Sequence, residues 1–148
     1  MNELPSIGDK HASRQRTVYC AQQGLFKHAI STLQGGFGNQ FTDLVEAHET
    51  LGKSCLDNGL ILSINAHLWG AIFPLISYGT EQQQQQYLAH LISAEFIGGH
   101  AITEPQAGSD LNALEMSAEI TDTGIVINGH KRFITNTPIA DLLVIYAR

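Results

Sequence analysis

The stretch HAITEPQAGSDLNALEMSAEI, His100 to Ile120, packs hydroxyls, carboxylates and turn residues between apolar segments. Thr103 and Ser109 carry hydroxyls that can donate or accept. Gly108 lets a backbone come close to a ligand. Pro105 stiffens the turn, and Asp110 can cap the short segment that follows. On residue types alone two readings stand side by side. One is an ordinary loop leading into a strand; the other is a backbone shaped to lie against a ligand.

Other chemistry finds little support. The seven histidines, His11, His28, His48, His67, His90, His100 and His130, are scattered and match no zinc spacing. His48-Glu49-Thr50 lacks the second histidine of HExxH, and no G-x-S-x-G elbow is present. The glycine-rich QGGFGN, Gln34 to Asn39, fits neither GxGxxG nor the P-loop. Cys20 and Cys55 show no CxxC spacing and read as reduced, buried thiols. A net charge of −6 with only eight basic residues, none in a block, argues against nucleic acid as a partner.

The elements that must position these residues follow from periodicity. The polar segment 1–16 reads as frayed, and TVYCAQQGLFKHAI as a helix stopping near Gly24. Phe41, Leu44, Val45, His48, Leu51 and Cys55 fall on one helical face, with Asn58-Gly59 as a C-cap. Leu60 to about Phe73 is apolar almost all round, which suits a central helix rather than a membrane span. Pro74 suits the first turn of a short helix that ends at Gly79. Thr80 and Gln83 form a capping box for a helix whose glutamine run, Gln82 to Gln86, is a solvated face. From Gly98 the texture changes to strands: HAIT, the alternating EMSAEIT, and LLVIYA, Leu142 to Ala147. TDTG, Thr121 to Gly124, reads as a turn, and Asn128-Gly129 predicts a type I′ hairpin turn.

Helices followed by strands make an α+β chain, with a helical domain over 1–98 and a partial β-domain over 99–148. An apolar fraction of 43% and a charged fraction of 15% describe a globular chain, expected to be cytoplasmic, without a secretory signal or membrane contact. The chain stops straight after its last strand, from which a fragment of a longer protein is expected.

AITEPQAGSD together with INGHKRFITN, in that order and spacing, resembles the acyl-CoA dehydrogenase family. GGFGN, ISYGTEQQQQQYL and ADLLVIYAR support the resemblance, which covers roughly residues 20–148. It implies an N-terminal helical domain, the beginning of a β-barrel-like middle domain, and a C-terminal four-helix bundle that lies outside this sequence. It implies FAD. By motif position, His100, Ala101, Ile102, Thr103, Gly108 and Ser109 would run along the flavin. Backbone groups of Ile102 and Thr103 would meet its pyrimidine edge. Phe133 would pack near the ring, Ile134 beside it, and the Thr135 hydroxyl would lie near N5. Ser109 would also contact the substrate thioester.

The activity implied is oxidation of acyl thioesters, on CoA or an acyl carrier protein, by α-proton abstraction and β-hydride transfer to FAD. Electron-transfer flavoprotein or another acceptor would take the electrons, and the full-length form would be a homo-oligomer. No catalytic base is assigned: Glu104 reads as structural, and the family places its glutamate in the C-terminal bundle. Phe133 could equally be β-core and Thr135 a strand-end residue. Two alternatives stay open, a non-catalytic remnant or interaction subunit, and a flavin-dependent monooxygenase of the same fold. Gln106 stands where the family commonly has glycine, and His100 where it often has an aromatic or small residue.

Overall fold

The structure is a computed structural model that describes residues 10–148, with side chains described from Ser13. Helix α1 spans Lys10–Gln22 and stops before Gly24, whose φ of 83° is a left-handed position. The expectation of fraying over 1–16 therefore fails for the part described, while 1–9 lie outside the described residues. Its polar residues have distant partners. The Arg14 guanidinium sits 2.8 Å from the Asp141 carboxylate and donates to the Ile139 carbonyl at 3.2 Å, and Arg16 pairs with Asp57. Thr17 is fully buried.

Helix α2, Phe41–Ser54, opens with the Gln40 N–H donating to the Asp43 carboxylate at 2.8 Å. It ends earlier than expected. Asn58-Gly59 does not cap α2 but begins α3, Asn58–His67, because the Asp57 carboxylate takes the Leu60 N–H at 3.1 Å and caps the new helix. A π-turn, Leu68–Ile72, joins α3 to α4, Phe73–Tyr78. Pro74, at the start of α4, has no N–H to return to the preceding turn, which fits the widened helix there. By length and composition Asn58–Tyr78 could cross a membrane. Here Ile64, His67, Leu68, Ala71 and Ile72 are fully covered by the chain's own residues.

Helix α5, Glu81–Ile92, carries the capping box read from the sequence: the Thr80 hydroxyl accepts the Gln83 N–H at 3.2 Å, and the Gln83 side chain accepts the Thr80 N–H at 2.8 Å. Most of the glutamine run is exposed. Gln84 is the exception; its amide donates to the carbonyls of Ile76 and Gly79 at 3.2 and 3.0 Å, tying α4 to α5.

Two small sheets follow. Strand β1, Gly98–Ala101, pairs in parallel with β4, Leu142–Ile145, in the register Gly98↔Leu142. Strands β2, Ser117–Thr121, and β3, Gly124–Asn128, form an antiparallel hairpin. Its turn lies at Asp122-Thr123, since Thr121 faces Gly124. The Asn128-Gly129 turn is not made, and HKRFIT is not a strand. That segment instead bonds to the chain at 102–104, and Gly129 passes so close to Met116 that a Cβ would stand 2.8 Å from it. Of LLVIYA, Leu142–Ile145 form β4, and the strand is only half-buried.

The core gathers Phe26, Ile30, Leu44, Leu68, Ile72 and Leu91 between the helices. Strand β1 lies directly on the π-turn. A Cβ at Gly98 would stand 2.3 Å from the Ala71 Cβ, and one at Gly99 would stand 2.8 Å from the Thr135 carbonyl oxygen. Only a glycine pair lets the strand wedge between helix and loop.

Candidate functional site

Strand β1 gives one edge to β4 and keeps the other. Ile97 and Ala101 accept from Leu142 and Tyr146 on the β4 side, at 3.2 and 3.1 Å. Gly98 faces the opposite way: its N–H donates to His67 Nδ1 at 2.8 Å and its carbonyl accepts from Asn136 Nδ2 at 2.9 Å. By strand alternation the N–H groups of His100 and Ile102 point to that second edge.

The second motif closes on this edge. Lys131 Nζ donates to the Ile102 carbonyl at 2.8 Å, and the Arg132 N–H donates to the Thr103 carbonyl at 2.8 Å. The two segments recognised as separate motifs are thus bonded neighbours and form one wall. Asn136 fixes its far end. From a left-handed backbone, φ 70°, it donates to the carbonyls of Ser63 and Gly98 at 2.9 Å each and accepts the Ser63 hydroxyl at 2.6 Å. That pins the ITN loop to both α3 and β1.

Glu104 is 4% exposed and accepts from four donors: Lys131 Nζ at 2.7 Å, the N–H groups of Glu115 and Met116 at 2.7 and 3.1 Å, and the Gln106 amide at 2.8 Å. The Lys131 hydrogen bond, helped by these backbone donors, holds its carboxyl down to about 2. A carboxylate so engaged is no base, in keeping with the structural role expected of it. The TEPQA turn closes on itself through the Glu104 N–H to the Ala107 carbonyl at 2.8 Å. Asp110 does cap the following turn, accepting the Asn112 N–H at 3.1 Å.

The predicted residues fall into three groups. Ile102 and Thr103 are bonded to 131–132, which leads directly into Phe133, Ile134 and Thr135, the last with its carbonyl against Gly99. The N–H groups of Ile102 and Thr103 and the hydroxyls of Thr103 and Thr135 have no hydrogen-bond partner among the described residues. Phe133 is not β-core: its ring is 80% exposed, on a left-handed backbone of φ 56°, with the Arg132 guanidinium 4.5 Å from its centroid. Gly108 and Ser109 sit on the exposed loop before Asp110, and nothing lies within 4 Å of a Cβ placed at Gly108. His100 and Ala101 offer backbone only. Ala101 is buried, and the His100 ring turns onto the π-turn, where a Cβ at Gly70 would meet Nδ1 at 2.0 Å.

Lys131, Asn136 and His67 hold the wall, and sequence reasoning did not single them out for it. His67, fully buried, donates from Nε2 to the Leu91 carbonyl at 2.9 Å while Nδ1 accepts from Gly98. Burial pushes its pKa down to about 4, so the ring is neutral.

The donor set suits a planar heteroaromatic group. Unspent amides and hydroxyls lie at 102–103 and 135, an exposed aromatic ring stands at 133, next to the bonded Arg132, and Gly108 leaves the loop uncrowded. A polar ring edge would take the amides, and its face the phenyl ring. Two clefts flank the wall. One of about 520 Å³ lies between α4, α5 and β4, lined by Leu75, Tyr87 and Val144, and takes in none of the wall residues. Another of about 330 Å³ reaches Thr135 and Asn136 from the Arg16–Asp57 side.

A helical layer with a backbone-lined wall set on its sheet matches, in sequence, two consecutive domain models. These are the acyl-CoA dehydrogenase N-terminal domain over residues 7–95 and the acyl-CoA dehydrogenase middle domain over residues 99–148. The chain belongs to the acyl-CoA dehydrogenase family. An L-prolyl-[peptidyl-carrier protein] dehydrogenase from a Serratia strain is 36% identical over 142 residues, 96% of this chain and 37% of the relative. A short-chain-specific acyl-CoA dehydrogenase from Clostridium acetobutylicum is 39% identical over 126 residues, 85% of this chain and 33% of the relative. Among solved structures, PigA with FAD and proline superposes with a TM-score of 0.85 at 34% identity, over 96% of this chain and 36% of that one. Butyryl-CoA dehydrogenase from Megasphaera elsdenii does so at 0.82 and 28% identity, over 95% of this chain and 36% of that one. The chain thus spans about a third of the length of these relatives.

Proposed function

We propose that the chain supplies the flavin-facing wall of an FAD-dependent dehydrogenase that oxidises acyl thioesters. The observation that carries this is the pairing of 102–103 with 131–132, which leaves the Ile102 and Thr103 amides unspent where the chain leads into the exposed Phe133. Bound FAD would supply the two-electron acceptor. The Ile102 and Thr103 amides would hold the cofactor's polar edge, the Thr135 hydroxyl would orient the ring, Phe133 would cover a face, and Ser109 would meet the thioester arm. Glu104 is too firmly engaged to take the α-proton, so that step belongs to a carboxylate other than this one.

For the acyl carrier we favour a carrier protein over CoA. The supporting fact is extent: the prolyl-carrier-protein dehydrogenase aligns over 96% of the chain, against 85% for the short-chain acyl-CoA enzyme. Electron-transfer flavoprotein is a candidate acceptor.

The test is FAD titration of the purified chain, followed by flavin fluorescence. Weak but saturable quenching is expected, with no acyl-CoA oxidation by the chain on its own. Thr103→Pro, which deletes one wall N–H, should weaken it. Absence of saturable binding, or binding indifferent to Thr103→Pro, would overturn the reading.

A further inference from the structure

We propose that Lys131 is a positioning residue that polarises the Ile102–Thr103 peptide and so makes the Thr103 N–H an unusually strong donor toward the bound cofactor. The inference rests on the flavin reading above and deepens it by naming what tunes the wall.

The Lys131 ammonium lies 2.8 Å from the Ile102 carbonyl oxygen. That oxygen and the Thr103 N–H belong to one planar trans peptide, so the N–H points away from Lys131. It has no acceptor among the described residues. A cation on the carbonyl draws electron density to oxygen and leaves the N–H more acidic, and hydrogen bonds in series strengthen one another in this way. Water does not blunt the effect, because the side chains of Lys131 and Glu104 are only 8% and 2% exposed. Glu104, 2.7 Å from Nζ, holds the ammonium aimed at the peptide. It is itself anchored by the Glu115 and Met116 N–H groups. The pair is neutral overall, so it does not act as an anion trap. What it adds to the wall is direction, delivered through one peptide to a single donor.

The decisive measurement is hydroxide-catalysed exchange of the Thr103 amide, followed by NMR in the cofactor-free chain. If Lys131 acidifies this N–H, Lys131→Met should slow its exchange several-fold relative to wild type, and Lys131→Arg should restore it. A residue that only holds the structure together would not slow the exchange of this unbonded N–H: its rate would stay unchanged or rise. Should Lys131→Met not fold, Lys131→Gln, a neutral donor, is read in its place. Unchanged or faster Thr103 exchange in the neutral variants overturns the proposal. FAD titration of the same proteins separates the two readings. Slowed exchange with several-fold weaker FAD binding supports both. Slowed exchange in a chain that binds no FAD upholds the polarised amide and sinks the flavin reading. FAD binding with unaltered exchange sinks the role of Lys131 alone.

Discussion

Asn136 satisfies the Ser63 carbonyl, the Gly98 carbonyl and the Ser63 hydroxyl from one left-handed residue. Asparagine tolerates that backbone better than most side chains, and its amide carries donors and an acceptor together. Asn136→Ala would leave the buried Gly98 carbonyl without its donor and strip the Ser63 carbonyl and hydroxyl of a partner each. The expected loss is about 2–4 kcal/mol of stability, because unpaired buried polar groups cost more than a hydrogen bond returns. Urea unfolding measures it, and a loss below about 0.5 kcal/mol would show that water replaces these bonds. The ITN motif was visible as a string, but not this role, since Ser63 and Asn136 stand 73 residues apart. The Glu104–Lys131 pair was equally hidden, across 27 residues. Motif order singled out Thr103, Phe133 and Thr135 as candidates, but could not show that Phe133 is exposed on a left-handed turn.

Elements were legible where local chemistry decides them. The Thr80/Gln83 box lies within four consecutive residues, and α5 starts where it says. Thr80→Ala should therefore cost about 1 kcal/mol, with Thr80→Ser retaining most of it. Thermal melts of the two variants test this, and equal melting points would mean the box contributes nothing. Boundaries were misplaced where two local signals compete or a distant one intervenes. Asn58-Gly59 looks like a helix stop, but Asp57 just ahead of it is a stronger start. Asn128-Gly129 looks like a hairpin turn, yet Lys131 and Arg132 are drawn off to Ile102 and Thr103, and the two-residue turn falls at Asp122-Thr123 instead. Polar residues 13–16 looked like fraying because the partners of Arg14 and Arg16 lie far along the chain.

At the scale of the whole molecule, the joint between helices and sheet should be sensitive to acid. His67 is buried as the neutral imidazole, bonded to Leu91 on one side and to β1 on the other. Its pKa falls from an ordinary 6.5 to about 4 on folding. Above pH 6.5 both folded and unfolded chains hold it neutral, and its contribution is fully present. As pH falls from 6.5 toward 4 the unfolded chain takes up a proton that the folded chain refuses. Stability should then drop with a slope approaching about 1.4 kcal/mol per pH unit from this group. Glu104 extends the loss. Its carboxyl, ordinarily near 4.5, is held at about 2, so the stability it gives is complete above pH 4.5 and is lost as pH falls from there toward 2. The expected curve is a plateau above pH 6.5 and a continuous decline below it, traced by urea unfolding at successive pH values. His67→Gln keeps an amide donor and an acceptor in the ring's place without a titrating group, so it should flatten the slope between pH 6.5 and 4 and leave the decline below pH 4.5. A wild-type chain equally stable at pH 7 and pH 5, or a variant with the same slope, would show that protons reach His67 without separating β1 from the helices beneath it.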